Sequence, residues 1–132
     1  MSQENVEVVK RAWEATVRRD YETALGLYDP EVTLEPGFLD NPEEVFRGLD
    51  GVREMYQSLL GVFADFTATV EEWIDAGDDV VAILRVSGRG RQSGVPVVSL
   101  EAHVWTVRDG KLWRLRIYPT RAEALKAVGL EE

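Results

Sequence analysis

The sequence contains no cysteine and a single histidine, and these absences remove several classes of function. Without cysteine the chain cannot form a disulfide, a thiol nucleophile or a cysteine-ligated metal site. One imidazole cannot build a histidine-rich metal centre, and no acidic cluster has the spacing of a metal-binding loop. We therefore expect neither a metal nor a cofactor.

Long apolar runs and an excess of positive charge are also missing. No stretch approaches the roughly 20 apolar residues that span a bilayer, and the N-terminus lacks the basic and apolar regions of a signal peptide. The net charge of −9 opposes binding to nucleic acid or to anionic membranes. Phosphate-binding glycine motifs and the GxSxG motif of hydrolases do not occur. We predict a cytoplasmic protein that binds neither nucleic acid nor membranes.

The hydrophobic pattern changes from helical spacing in the first half of the chain to strict alternation in the second half. The predicted helices cover residues 3–18, 21–28, 50–63 and 121–128, and the predicted strands cover residues 31–35, 45–47, 66–75, 80–91 and the two arms of 97–119. Early helices followed by a meander of strands predict an α+β fold. A twisted antiparallel sheet of this size would curl around the helices, in a single domain over residues 1–132.

The hairpin over residues 97–119 carries the histidine. Alternation places Glu101 and His103 on one face of its first arm, and histidine is the side chain whose ordinary pKa lies near physiological pH. The Asp-Gly turn leaves two registers open. A two-residue loop pairs His103 with Arg116, whereas a three-residue loop with a glycine bulge pairs it with Leu115.

Three segments of the sequence resemble the SnoaL-like branch of the NTF2-like superfamily. They are RAWEATVRRDYETALGLYDPEVTLEP, FRGLDGVREMY and AHVWTVRDGKLWRLRIY. This superfamily includes ketosteroid isomerase, SnoaL-type polyketide cyclases, limonene epoxide hydrolase and scytalone dehydratase. The resemblance implies a cone-shaped fold, with a highly curved mixed or antiparallel sheet wrapped around about three N-terminal helices and a short C-terminal helix.

The resemblance also implies roles for individual residues. Glu35, in VTLEP, matches the general base of ketosteroid isomerase, and Tyr56, in EMY, matches a tyrosine of the same site. His103, in AHV, matches the protonated acid of the oxyanion hole. The principal tyrosine donor is matched by Ala12, so the oxyanion hole is incomplete and steroid isomerisation is not expected.

The resemblance favours the three-residue loop. In that register Trp113, Leu115 and Ile117 share the face of His103, while Arg114, Arg116 and Tyr118 lie on the other face. We predict that Glu35 and His103 are catalytic residues in an apolar cavity, where burial shifts the pKa values of such groups. The predicted ligand-binding residues are Trp13, Tyr28, Phe38, Tyr56, Leu60, Val86, Glu101, Trp105, Leu115 and Ile117.

The sequence thus predicts a cofactor-free acid/base enzyme, of the isomerase, cyclase, dehydratase or hydrolase type, acting on a small hydrophobic cyclic or polyketide-like metabolite. The alternative is a ligand-binding or dimerisation module of the same fold without catalysis, in which His103 is structural and Glu35 ends a strand in solvent. Apolar residues on the outer sheet face, among them Val98, Leu100 and Val104, predict a homodimer through that face.

Overall fold

The computed structural model describes residues 2–36 and 44–130, which form the predicted α+β fold. The helices are α1 (Ser2–Val17), α2 (Tyr21–Leu25), α3 (Gly48–Val62) and α4 (Arg121–Ala127). The strands are β1 (Tyr28–Glu35), β2 (Phe46–Arg47), β3 (Phe63–Ala76), β4 (Asp79–Gly90), β5 (Pro96–Arg108) and β6 (Lys111–Tyr118). Within the described ranges, no helix has the length and apolar character needed to cross a bilayer.

The strands form one mixed sheet in the order β2-β1-β6-β5-β4-β3. Strands β1 and β6 run parallel, and the other neighbouring pairs are antiparallel. Register shifts between β1 and β6, β3 and β4, and β5 and β6 increase the local twist, so the sheet curls over α1 and α3. Val9, Leu34, Val52 and Leu112 are fully buried in the core between the sheet and these helices.

Capping residues set the ends of the short helices. The side chains of Asp20 and Thr120 accept hydrogen bonds from the amides three residues later. Gly129, at φ 79°, follows α4 in the left-handed conformation. Helix α2 is shorter than predicted and ends before Tyr28, because Tyr28 begins β1 and pairs there with Leu112 of β6.

The turn between β5 and β6 has two residues, so the predicted three-residue loop is wrong. Arg108 pairs with Lys111, and both Asp109 and Gly110 have positive φ, at 53° and 74°. This backbone is that of a primed hairpin turn, whose twist matches the twist of the flanking strands.

A bulge at a different position restores the predicted faces of β6 from Arg114 onward. Val107 pairs with Leu112 but Thr106 pairs with Arg114, which leaves Trp113 as the extra residue. His103 consequently pairs with Ile117, and neither Leu115 nor Arg116 lies opposite it. The predicted position of Trp113 on the His103 face is also wrong, because its ring lies under the guanidinium of Arg108, 4.4 Å from the centroid.

Helix α4 covers part of the outer sheet face. Val104 is buried there with Val81, Ala102 and Ala124, so its predicted exposure to a partner is wrong. The beginning of β5 extends beyond α4 and keeps its outward side chains in solvent. On α1, Val17 is exposed.

Candidate active site

A cavity of about 710 Å³ lies between the helices and the concave face of the sheet. Its walls come from α1, the connection to α2 and the start of α2, the start of β1, α3 and strands β3 to β6, and they are mostly aromatic and aliphatic. This volume lies within the range typical of pockets for small organic ligands. The predicted residues that line it are Trp13, Tyr28, Tyr56, Val86, Glu101, His103, Trp105, Leu115 and Ile117.

Strand β5 runs from the mouth of the cavity to its floor. Its inward residues pass from exposed Val97, through Ser99, Glu101 and His103, to buried Trp105. Strand rise is about 3.3 Å per residue, so Glu101 lies about 13 Å along the strand from Val97. The polar pair of Glu101 and His103 is therefore deep in the cavity, next to its apolar floor.

Glu101 and His103 form a hydrogen-bonded pair, with 2.9 Å between His103 Nε2 and Glu101 Oε1. A carboxylate only accepts hydrogen bonds, so Nε2 carries the proton and donates it. Nδ1 is buried and has no partner among the described residues. The His103 side chain is 12% exposed and the Glu101 side chain 29%. Glu101 is thus the more exposed member of the pair, and the hydrogen bond from His103 holds its carboxylate in place.

A chain of hydroxyl groups lines the opposite wall. The hydroxyl oxygens of Tyr28 and Tyr56 are 3.0 Å apart, and those of Tyr56 and Thr16 are 3.1 Å apart. Thr16 donates its proton to the carbonyl oxygen of Ala12 at 2.8 Å. Each hydroxyl has one proton, so Tyr56 donates to Thr16 and Tyr28 donates to Tyr56. The chain therefore has no free donor for a ligand oxygen in this arrangement.

Burial fixes the protonation state of this hydroxyl chain. Desolvation raises the pKa of Tyr28 well above its ordinary value, and desolvation likewise raises the pKa of Tyr56. Both phenols remain neutral at physiological pH. Within the described part of the chain, no group of three or more histidine, aspartate or glutamate side chains converges as metal ligands.

Glu35 does not line the cavity, so its predicted position as a base beside His103 is wrong. Near the end of β1, buried Val32 and Leu34 occupy the inward positions, and strand alternation turns Glu35 to the outer face. There its carboxylate receives two hydrogen bonds from Arg114, at 2.6 and 3.1 Å. These bonds hold the pKa of Glu35 below its ordinary value, which opposes a role as base near neutral pH.

We expect Glu35→Gln to lower the free energy of unfolding by about 0.5–1 kcal/mol at pH 7, since the ion pair is partly exposed and screened. The folded-state pKa lies below the ordinary 4.5, so this stabilisation is present above pH 4.5 and is lost as the pH falls through the folded-state pKa. Urea unfolding from pH 7 to pH 3 measures it. The exposed Glu54→Gln on α3 is the control, and a deficit that persists unchanged at the lowest pH contradicts the prediction.

Two predicted ligand residues lie outside the described part of the structure: Phe38 and the side chain of Leu60. The cavity also contains Thr16 and Arg19, which the sequence did not single out. Thr16 could have been found from its spacing, four residues after Ala12. Arg19 gives no such signal, because it follows the end of a helix and only the fold brings it to the cavity.

Comparison with known proteins places the chain in a family. The family described as the SnoaL-like domain matches residues 9–115. No protein of curated function matches the sequence.

Solved structures similar to this chain agree with its fold. An NTF2-like protein of unknown function from Burkholderia pseudomallei K96243 has 20% identity and a TM-score of 0.79, covering 95% of this chain and 97% of its own. An NTF2-like protein from Burkholderia thailandensis E264 has 27% identity and a TM-score of 0.77, covering 92% and 96%. A protein described as a SnoaL-like polyketide cyclase from Jannaschia sp. CCS1 has 18% identity and a TM-score of 0.77, covering 99% and 95%. The chain belongs to the SnoaL-like domain family and has the NTF2-like fold.

Proposed function

We propose that the protein is a cofactor-free general-base enzyme acting on a small, largely apolar cyclic or polyketide-like metabolite. Glu101 is the base, and His103 is the positioning residue that holds its carboxylate. The observation that carries this proposal is the hydrogen bond between His103 and Glu101 inside an aromatic and aliphatic cavity. Glu101 is the one carboxylate among the described residues that line the cavity.

The chemistry begins with transfer of a proton from an acidic C–H or O–H bond of the ligand to Glu101. The bonding electrons stay on the ligand, as an enolate if the proton leaves a carbon next to a carbonyl. Returning the proton to another ligand atom completes an isomerisation. Transfer of the proton to a departing hydroxyl group, which leaves as water, completes a dehydration. Either sequence needs one positioned base and no redox partner.

The hydrogen bonds of the hydroxyl chain limit the kind of substrate on which the enzyme could act. Its protons are committed to each other and to the carbonyl of Ala12, so it does not supply an oxyanion hole as arranged. A substrate that delocalises its own negative charge over two carbonyls needs less help of this kind. Such activated C–H bonds occur in polyketide-like molecules, and the similarity to a protein described as a polyketide cyclase supports the same class.

Proton transfer can be tested before the natural substrate is known. We would incubate the protein in D₂O with a panel of cyclic 1,3-diketones and aryl ketones and follow exchange of the activated C–H by NMR. Faster exchange with the wild type than with Glu101→Gln supports the proposal. Saturable binding with no acceleration by the wild type across the panel would overturn it in favour of a ligand-binding module.

We also propose that a second copy of the chain covers the outer face at the beginning of β5. Val98 and Leu100 are 64% and 53% exposed there, beside an ion pair between Arg85 and Glu71 at 3.3 Å. Leu100 lies opposite Arg85 in the sheet. The patch is apolar at its centre and carries one charge of each sign, so a two-fold axis can bring each arginine to the partner's glutamate.

Light scattering at micromolar concentration should give twice the mass of one chain. Leu100→Lys should give the monomer, because it places a charge in the apolar centre of the interface. Val95→Lys, in the exposed connection before β5, is the control and should remain dimeric. A wild-type monomer at this concentration contradicts the proposal.

A further inference from the structure

One cationic side chain of the described residues lines the cavity, and the proposed reaction does not use it. Arg19 lies in the connection between α1 and α2, and exposed Val17 at the end of α1 also borders the cavity. Exposed lining residues mark the mouth, so Arg19 stands at the entrance and Glu101 lies deeper. Its guanidinium forms no hydrogen bond or ion pair with another described residue.

The backbone at Arg19 favours glycine. Its φ is 62°, in the left-handed region that side chains with a Cβ adopt at a cost. The amide of Arg19 donates to the carbonyl of Thr16 at 3.0 Å, and the amide of Asp20 donates to the carbonyl of Ala15 at 2.8 Å. These two bonds form the helix-ending motif in which the left-handed residue is usually glycine. An arginine at this position gives up backbone stability and places a cation at the mouth of the cavity.

We propose that Arg19 is a specificity residue that binds an anionic group, such as a carboxylate, on the ligand. The ligand would carry an apolar body that fills the cavity and a negative group that remains at the mouth. A guanidinium pairs with planar anions through two hydrogen bonds. This inference rests on the proposed function only in taking the cavity as the ligand site.

Substitution of Arg18 distinguishes a direct contact with the ligand from a general effect of positive charge at the end of a helix. A cation near a helix C-terminus interacts favourably with the helix dipole, and Arg18 and Arg19 share that position. Arg18 does not line the cavity, and its nearest carboxylate is Asp20, at 3.9 Å. Arg18→Gln is therefore the matched control for Arg19→Gln.

Two dyes with the same aromatic skeleton test the proposal by fluorescence titration. 1-Anilinonaphthalene-8-sulfonate carries a sulfonate, and N-phenyl-1-naphthylamine is its uncharged counterpart. We expect Arg19→Gln to weaken binding of the sulfonate dye about tenfold while the uncharged dye changes less than about threefold. Arg18→Gln should change neither. Equal affinity of wild type and Arg19→Gln for the sulfonate dye would overturn the proposal.

Two further variants control for an effect of substitution on folding and for the position of the bound dye. Arg19→Gly should raise the melting temperature by about 2–4 °C, since it relieves the left-handed backbone, and should still lose affinity for the sulfonate dye. Ala68→Trp places a bulky side chain in the cavity wall and should weaken binding of both dyes. Affinity for both dyes that is unchanged by Ala68→Trp would place the dyes elsewhere and overturn the inference. Because these readouts measure binding, they stand whether or not Glu101 catalyses proton transfer.

Discussion

Glu101→Gln should lower the rate of proton transfer by about 10²–10⁴-fold, or roughly 3–5.5 kcal/mol in activation free energy. Glutamine has nearly the same shape but cannot take up a proton, and no other described carboxylate lines the cavity to replace it. Substrate affinity should change little, because the apolar walls are untouched. Initial rates of isotope exchange or turnover over a range of substrate concentrations give kcat and KM separately.

The matched control for this loss is Glu71→Gln, on the outer face of the same sheet in an ion pair with Arg85. It removes the same charge without altering the cavity, so its kcat should equal that of the wild type. His103→Gln keeps an N–H donor near the carboxylate and should cost less than His103→Phe, which has none. Equal rates for Glu101→Gln and the wild type would mean that Glu101 is not the base.

Leu34→Ala should lower the free energy of unfolding by about 3 kcal/mol, a large part of the 5–15 kcal/mol typical of single domains. Leu34 is 0% exposed, in the core beneath the cavity, and pairs along β1 with Leu115 of β6. Truncation removes apolar burial and leaves a void that the surrounding sheet and helices cannot fully close. Urea denaturation at equilibrium measures the change.

The control for this core substitution is Leu130→Ala, which removes the same atoms from a side chain that is 41% exposed near the C-terminus. Its cost should be less than about 1 kcal/mol. Similar losses for the two variants would contradict the placement of Leu34 at the centre of the core.

The helices and strands follow from local pattern, which is why the sequence predicts them well. Helical spacing, capping residues and strict alternation depend only on neighbours within a few positions. The placement of Glu101 and His103 on one face of β5 is confirmed, since both side chains line the cavity. The resemblance of three sequence segments predicted the correct family.

The position of Glu35 could not be obtained in the same way. A strand pattern states that alternate residues face opposite sides, but the tertiary structure decides which side is the cavity. Leu34 and Leu115 lie together on the inner face, so Glu35 turns outward to Arg114. The resemblance to the family motif predicted the correct strand for Glu35 and its correct position at the end of that strand. It predicted the wrong face of the sheet.

The hairpin between β5 and β6 also combines one feature that the sequence determines with another that only the tertiary structure decides. Its local chemistry determined a tight turn, since aspartate and glycine readily adopt the positive φ that a two-residue loop requires. The bulge at Trp113, which sets the faces of β6, has no sequence signature and is visible only in the pairing of β6 with β5.

The sequence by itself determined the fold class, the family and the strand that carries the Glu101–His103 pair, because these depend on short-range periodicity and on motifs. Only the tertiary structure decided that Glu35 leaves the cavity, that the hydroxyls of Thr16, Tyr56 and Tyr28 join in one chain, and that Arg19 stands at the mouth. These arrangements join residues far apart in the chain. Packing and register, which no local pattern encodes, bring them together.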